Sequence, residues 1–327
     1  MLTSYVGSFP LSYSEDNVVR VVHDVIKIPI DCPNYPQLRD FIYQFLEPFV
    51  NSGILSLSNK RYFLKEELSL RIDYESALQE AKITLDVLRR SEDSRRKIRK
   101  IKACVTGPFT LASQIYLKSE RSIRSTALSE LDIVEKLADY VYILAYNMVS
   151  LGYEYVVVDE PMLSVIVGTK RIMFNYTVDD IIDVLNRIAK RINIDMGIHV
   201  CGKISGQLFE TLAQTEFKIL DHEFAASLSN FKTITRQVLE DNDKFISIGV
   251  ISSSDPNVED VEEVRRLILK GVEQYGIERI AFVKPDCGFR GLKGKLDEEK
   301  AYVVALEKLR ILRRARDIVA KELRIEV

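Results

Sequence analysis

Along the chain, short runs rich in β-branched and apolar residues alternate with longer stretches whose apolar positions recur every three or four residues. The short runs are TSYVGS at 3–8, GILSL at 53–57, KACVTG at 102–107, YVVVDE at 155–160, DMGIHV at 195–200, FKILDH at 217–222, FISIGV at 245–250 and RIAFVK at 279–284. Runs of this kind predict strands, and the amphipathic stretches at 76–90, 125–150, 177–192, 258–276 and 296–323 predict helices. Helix starts are expected at Thr177 ahead of Asp179 and Asp180, at Pro256–Asn257 and at Asp297, where the residues suit a helix N-terminus.

Near-continuous apolar strands separated by amphipathic helices require parallel pairing with both sheet faces covered. Eight such β/α units in 327 residues predict an α/β protein folded as a (β/α)8 TIM barrel, a single domain spanning 1–327. A doubly wound open sheet is the competing plan, but no GxGxxG follows the first strand. Segment 59–72, NKRYFLKEELSLRI, has no place in a barrel and is expected as an inserted hairpin or helix.

In such a barrel the C-terminal strand ends surround the active-site mouth. Those ends carry Gly7 and Ser8, Thr106, Asp159 and Glu160, His199 and Cys201, Glu223, Ser254, and Asp286 with Cys287. In an extended segment residues i and i+2 project to one side, so His199 and Cys201 of GIHVCGK can face a single point. Cys287 in KPDCG brings a second thiol to the same edge, and Glu223 in DHEF brings a carboxylate. His199, Cys201, Glu223 and Cys287 make four donors, a set that suits tetrahedral Zn2+. His222 is the rival of Glu223; with the opposite parity, it packs behind the strand if Glu223 faces the mouth. A histidine and a cysteine two apart also occur as plain core residues, and Cys32 and Cys104 read as packing cysteines.

Composition then removes several classes of function. Hydrophobic content of 46% and charged content of 29% are those of a globular chain with a large core. Lys+Arg of 46 against Asp+Glu of 48 leaves a net charge of −2, so no nucleic-acid partner is expected. The first residues lack the pattern of a signal peptide, and YVYILAYNMVSLGY is too short and too polar to span a bilayer. The expectation is a cytoplasmic protein with no membrane partner and reduced cysteines.

VGSFP, TGPFT, DEP, HVC, a later glutamate, DPNVE and PDCG follow one another from residue 4 to about 291. In this order they resemble the catalytic barrel of cobalamin-independent methionine synthase, within a superfamily that includes uroporphyrinogen decarboxylase and corrinoid-linked methyltransferases. The resemblance implies zinc on His199, Cys201, Glu223 and Cys287, with homocysteine as the thiol to be methylated. It also implies that Asp159 grips the substrate's α-ammonium and that Glu160, beside it in DEP, is a further substrate-binding residue. Gly7 and Ser8 match the loop that holds the carboxylate through a backbone N–H and a hydroxyl. The chemistry agrees, because a free thiol is mostly protonated at neutral pH and a coordinated one is not.

The pattern also departs from the family. The chain begins almost at VGSFP, so the N-terminal barrel that assists folate binding in the long family form is expected to be missing, and a separate protein in its place is a partner left open. TGPFTLASQ has Gln114 near the family's stacking tryptophan, and SSSDPNV offers Ser254 and Asp255 in place of its histidine. No HGE motif follows the second strand, where GILSLSNKRYF stands. The pattern is similar to short, archaeal-type methionine synthases, which implies a methylated corrinoid protein or a methylpterin as donor. Two alternatives stand beside zinc-dependent homocysteine methylation. One is a thiol alkyltransferase acting on another small thiol such as coenzyme M, against which Asp159 and Ser8 speak. The other is a non-catalytic zinc-binding barrel subunit, supported by the missing histidine and HGE motif.

Overall fold

The computed structural model describes residues 1–91 and 97–325. Its strands in chain order are β1 (Leu2–Thr3), β2 (Leu55–Ser58), β3 (Arg61–Leu64), β4 (Lys102–Thr106), β5 (Ile115–Tyr116), β6 (Tyr155–Asp159), β7 (Met196–Val200), β8 (Ile219–Glu223), β9 (Phe245–Ile251) and β10 (Ile280–Pro285). The longer helices are α1 (Glu15–Lys27), α2 (Phe41–Asn51), α3 (Glu75–Arg90), α4 (Leu131–Leu151), α5 (Val178–Ala189), α6 (Gly206–Ala213), α7 (Val261–Tyr275) and α8 (Glu298–Leu323). Seven strands form one curled parallel sheet in the order β1-β10-β9-β8-β7-β6-β4. Every residue of β4, β6 and β7 is buried, as parallel strands covered on both faces must be.

Sequence and structure part at the second strand. GILSL was expected in the main sheet, but Leu55–Ser58 pairs antiparallel with β3, which joins β5 in a separate three-stranded sheet. Segment 59–72 thus begins as the second arm of a hairpin, turning at Asn59 and Lys60, both with left-handed φ. The place between β1 and β4 is taken by residues 32–34. Isolated bridges join Ser4 to Cys32 and Asn34 to Lys102. Cys32 N–H donates to Thr3 O at 3.0 Å, and Lys102 N–H to Pro33 O at 2.9 Å. Pro33 removes a ladder donor within this stretch and Pro29 and Pro36 do so on either side of it, which is why it forms bridges rather than a regular strand.

Helix starts follow local capping chemistry. Thr177 and Asp180 close a capping box on α5, and Asp297 caps α8 by accepting Lys300 N–H. The start expected at Pro256–Asn257 falls instead at Asp260, which caps α7, while Asp255 accepts Asn257 N–H in a tight turn. The helix expected from 125 begins at Leu131, after two short 3-10 turns. Among the described residues no helix is long and apolar enough to cross a membrane.

The inner face of the sheet changes character along the strands. Cys32, Cys104, Tyr155, Val157, Ile219 and Phe282 form an apolar floor, with the Tyr155 and Phe282 rings stacked at 5.0 Å. Cys32 and Cys104 are therefore packing residues, and burial pushes the Cys32 thiol up to about 12. Towards the strand C-termini the in-register row becomes Thr106, Asp159, His199, Asp221 and Ser247. At the other end Asp31 ties the chain together: it accepts the Thr3 N–H and hydroxyl at 2.8 and 2.7 Å and pairs with Arg313 and the fully buried Arg316 of α8. Asp31→Ala removes a carboxylate that two arginines share. A loss of about 3 kcal/mol is expected in denaturant melts, and an unchanged midpoint would show the pairs to be dispensable.

Candidate metal centre and substrate pocket

His199, Cys201 and Cys287 meet at the C-terminal edge of the sheet, their donor atoms all within 4.8 Å of one another. His199 Nε2 lies 2.9 Å from Cys201 Sγ, which lies 3.4 Å from Cys287 Sγ. Zinc bonds of about 2.0–2.3 Å in a tetrahedron place donor atoms about 3.3–3.8 Å apart. The sulfur pair falls within that range and the nitrogen–sulfur pair is slightly tighter, so the residues fit a tetrahedral metal. Glu223 ends β8 half-buried, close enough for its charge to raise the Cys201 thiol, but it stands outside the three-donor group. His222 has the opposite parity. It is fully buried, with Nδ1 3.2 Å from Val200 O, and burial lowers its pKa to about 4.

The imidazole of His199 is fixed from behind. Its Nδ1 lies 2.7 Å from Asp221 Oδ1, which also pairs with Lys284 Nζ at 2.8 Å. All three side chains are buried. Burial and Lys284 oppose charge on His199, yet Asp221 and Cys287 outweigh them and raise it to about 10. Burial works against ionised Asp221 too, but Lys284 and His199 hold it well below the usual carboxylate range. With Asp221 ionised, Nδ1 keeps its proton, so the proton a metal would displace is the one on Nε2, which makes Nε2 the ligating nitrogen. The two thiols divide the labour. A hydrogen bond from Cys201 holds Cys287 well below its ordinary value against burial, with help from His199 and Lys284; Cys201, as donor of that bond, is raised.

Each donor-bearing loop is held by a side chain from elsewhere. Asn230, fully buried, donates to Gly202 O at 2.9 Å and to Glu223 O at 2.8 Å, and accepts Ile204 N–H at 3.0 Å. One residue thus fixes the turns after Cys201 and at Glu223. Asp286 accepts the N–H groups of Phe224, Ala225 and Ala226 at 2.9, 3.0 and 2.7 Å, tying the β8 loop to the Cys287 loop. Burial pushes Asp286 up to about 6 against these donors. Gly288 lies against Ser8, and any Cβ there would overlap the Ser8 hydroxyl. Phe289 N–H also donates to Ser8 O at 2.8 Å, so VGSFP and PDCG are in direct contact.

The other expected residues divide between open and engaged groups. Asp159 is buried, with Oδ1 lacking a protein partner, and burial raises its pKa to about 6 while His199 and Lys102 pull it down. Glu160 is occupied: it accepts Phe109 N–H at 2.8 Å, Thr110 N–H at 3.0 Å and the Thr110 hydroxyl at 2.6 Å, and burial raises it to about 8. Gly107 has no room for a Cβ because Glu160 fills that space. Gly7 is enclosed by Tyr35 O, Asn34 Nδ2 and Gln37 Oε1, at 2.5, 2.6 and 2.9 Å from where a Cβ would stand. Ser254 and Asp255 are exposed in the loop after β9. Sequence reasoning missed Asp221, Lys284 and Asn230. The first two had a signal, since each lies two residues before a strand-end acid and so shares its face.

Residues 72–306 match the family described as "Cobalamin-independent synthase, Catalytic domain". With the imidazole–dithiol cluster at the sheet's C-terminal edge, the match makes this chain an α/β methyltransferase. It belongs to the cobalamin-independent methionine synthase family. Methionine synthase of Methanothermobacter marburgensis is 25% identical over 329 residues, covering 92% of this chain and 96% of that protein. That of Sulfolobus acidocaldarius is 26% identical over 314 residues, covering 94% of this chain and 83% of that protein. The B12-independent methionine synthase of Shewanella sp. W3-18-1, solved in complex with selenomethionine, matches in fold with a TM-score of 0.71, at 18% identity and covering 99% of both chains. These matches support an enzyme and set aside the non-catalytic subunit.

Replacing Asp221 by Asn should weaken metal binding about 10–100-fold, because the ring loses the partner that sets its tautomer. Competition against a chromophoric chelator reads this directly, and wild-type affinity in the variant would remove Asp221 from the centre.

Proposed function

We propose that this chain transfers a methyl group to the thiol of homocysteine, with Zn2+ on His199, Cys201 and Cys287 and with Glu223 as fourth donor. The convergence of one imidazole and two thiols on a single point, backed by Asp221, carries the reading. Zinc at this position would keep a coordinated thiol deprotonated at neutral pH and so keep its sulfur nucleophilic. The protein's own groups orient the rest of the substrate. Asp159, with an open carboxylate oxygen, takes the α-ammonium in a charge-assisted contact. Gly7 and Ser8, beside Gly288 and therefore next to Cys287, hold the carboxylate. Glu160 acts one step removed, anchoring the 107–110 turn beneath Asp159 rather than meeting substrate. In this reading the site belongs to one (β/α)8 domain over 1–327, a proposal supported by the seven-stranded curled sheet and the bridges at residues 32–34.

The methyl donor in this proposal is a methylated corrinoid or a methylpterin. In the transfer the donor's bond to methyl breaks, the carbon–sulfur bond forms, and the leaving group keeps the electron pair. A pterin nitrogen leaves only when protonated, whereas cobalt(I) leaves without a proton. With Ser254 and Asp255 where the family has an imidazole, the cobalt donor demands less of this chain.

Purified wild type is expected to hold one zinc per chain and to demethylate methylcobalamin or a methylpterin only when homocysteine is present. Cys287→Ser should lose both metal and turnover; a variant with full zinc and full turnover would remove Cys287 from the reaction. For pH, Asp159 is protonated below about 6 and ionised above, so kcat/KM for homocysteine should fall about tenfold per unit below that value. Asp159→Asn should raise KM about 10–100-fold and flatten that limb, the loss of one charge-assisted hydrogen bond. An acid limb that persists in the variant would assign the titration elsewhere.

A further inference from the structure

Cys201 and Cys287 stand 86 residues apart in the chain, yet their sulfurs are 3.4 Å apart at the C-terminal edge of the sheet. A disulfide bond is about 2.05 Å long, so this pair needs to close by only about 1.4 Å. Side-chain torsion spans such a distance without moving a strand. The other two cysteines are placed differently. Cys32 and Cys104 are fully buried in the apolar floor, and burial raises both thiols. Cys201 and Cys287 are only partly buried, within reach of a small solute.

The main chain keeps these two sulfurs together. Asn230 holds the carbonyls of Gly202 and Glu223, and Asp286, the residue before Cys287, holds the N–H groups of Phe224, Ala225 and Ala226. None of these bonds uses a donor atom of the cluster, so they hold the thiols adjacent in the metal-free chain as well. A group fixed beside its reaction partner acts at an effective concentration that no dissolved thiol reaches. An accessible thiol with a second thiol next to it is the arrangement that oxidation converts to a disulfide rather than to a higher oxide.

We propose that Cys201 and Cys287 form a reversible disulfide when the chain meets a peroxide, and that this bridge switches the centre off by removing both sulfur ligands. One sulfur attacks a peroxide oxygen, the O–O bond breaks, and the departing hydroxide takes that thiol's proton to become water. The second sulfur then attacks the sulfenic acid so formed. The S–S bond forms, the S–O bond breaks, and hydroxide leaves with the second thiol's proton as another water. With the thiols already ionised, solvent supplies those protons. The two sulfurs together lose two electrons, and the two peroxide oxygens gain them. A bridged sulfur offers no thiolate, so His199 and Glu223 alone remain, too few for a tetrahedral metal. The bridge rests on the sulfur geometry, and its effect on the centre rests on the metal reading above.

The test treats the full chain with hydrogen peroxide, both zinc-loaded and after chelation. Mass after alkylation counts the thiols, peptide mapping locates the bridge, and a chromophoric chelator reads released zinc. The expected result is loss of two of the four thiols to one Cys201–Cys287 bridge, with one zinc released per bridge. Dithiothreitol should restore both thiols and zinc binding. Cys201→Ser should instead leave a sulfenic acid on Cys287, trapped by dimedone about tenfold more than in wild type. Circular dichroism before treatment establishes that the variant is folded. A sulfinic acid in place of the bridge, a bridge to Cys32 or Cys104, a bridge that forms only in urea, or one that leaves zinc in place overturns the proposal. A bridge in a chain that takes no zinc even when reduced leaves the disulfide standing and refutes the metal reading; zinc binding without any bridge does the reverse.

Discussion

Asp221 sits where the rest of the site converges, one carboxylate shared by His199 and Lys284 inside the sheet. Burying an ion without its partner costs several kcal/mol, so none of the three tolerates the loss of another. Lys284 also donates to the carbonyls of Pro285 and Asp286, at 3.0 and 2.9 Å. The contact that orients the imidazole therefore also sets the backbone that leads into Cys287. The hydrogen bond from Cys201, with the imidazole of His199 and the buried Lys284 behind it, favours proton loss at Cys287 against its burial.

The donors come from strands far apart in sequence, and their spacing depends on cross-braces rather than on strand geometry alone. Asn230 spans two loops, Asp286 captures three successive N–H groups, and the close approach of Gly288 to Ser8 joins the first strand's loop to the last. Asn230 and Asp286 are buried polar groups whose partners are main-chain atoms, so they fix the backbone itself. Such braces pre-organise a centre before any ligand arrives. Asp159 is the counter-example, a buried carboxylate with one oxygen that no protein group meets, which supports its proposed contact with an incoming charge.

Much of this was legible from side-chain periodicity. Seven of the eight expected strands lie in the main sheet, and the i, i+2 rule placed His199 with Cys201 and put His222 behind the strand. The capping chemistry of Thr177 and Asp297 located two helix starts, while Pro256–Asn257 misled because Asp255 closes its own turn first. The largest miss has a simple cause. GILSL has the composition of a strand and is one, but it satisfies its hydrogen bonds in a hairpin next door. The segment that stands between β1 and β4 contains Pro33, with Pro29 and Pro36 close on either side, and offers no strand signal. Pairing partners, unlike strand propensity, are decided by what the rest of the chain leaves free. Glu160 was misread for a related reason: a strand-end acid looks available until the turn that caps it is known.

The proline-interrupted stretch at 32–34 divides the molecule mechanically. From β6 to β9 neighbouring strands share continuous ladders, and β10 pairs along its length with β9 through two register shifts; His199, Asp221, Lys284 and Cys287 all belong to that half. On the other side the wall hangs on isolated bridges, and the same stretch walls in Gly7 through Asn34, Tyr35 and Gln37. Local opening begins where backbone hydrogen bonds are fewest. The VGSFP loop thus takes its place less from the wall beside it than from the PDCG loop, through Gly288 against Ser8 and the Phe289 N–H to Ser8 O bond. The weakly laddered side of the mouth is registered against the strongly laddered one, so the last strand sets the position of both.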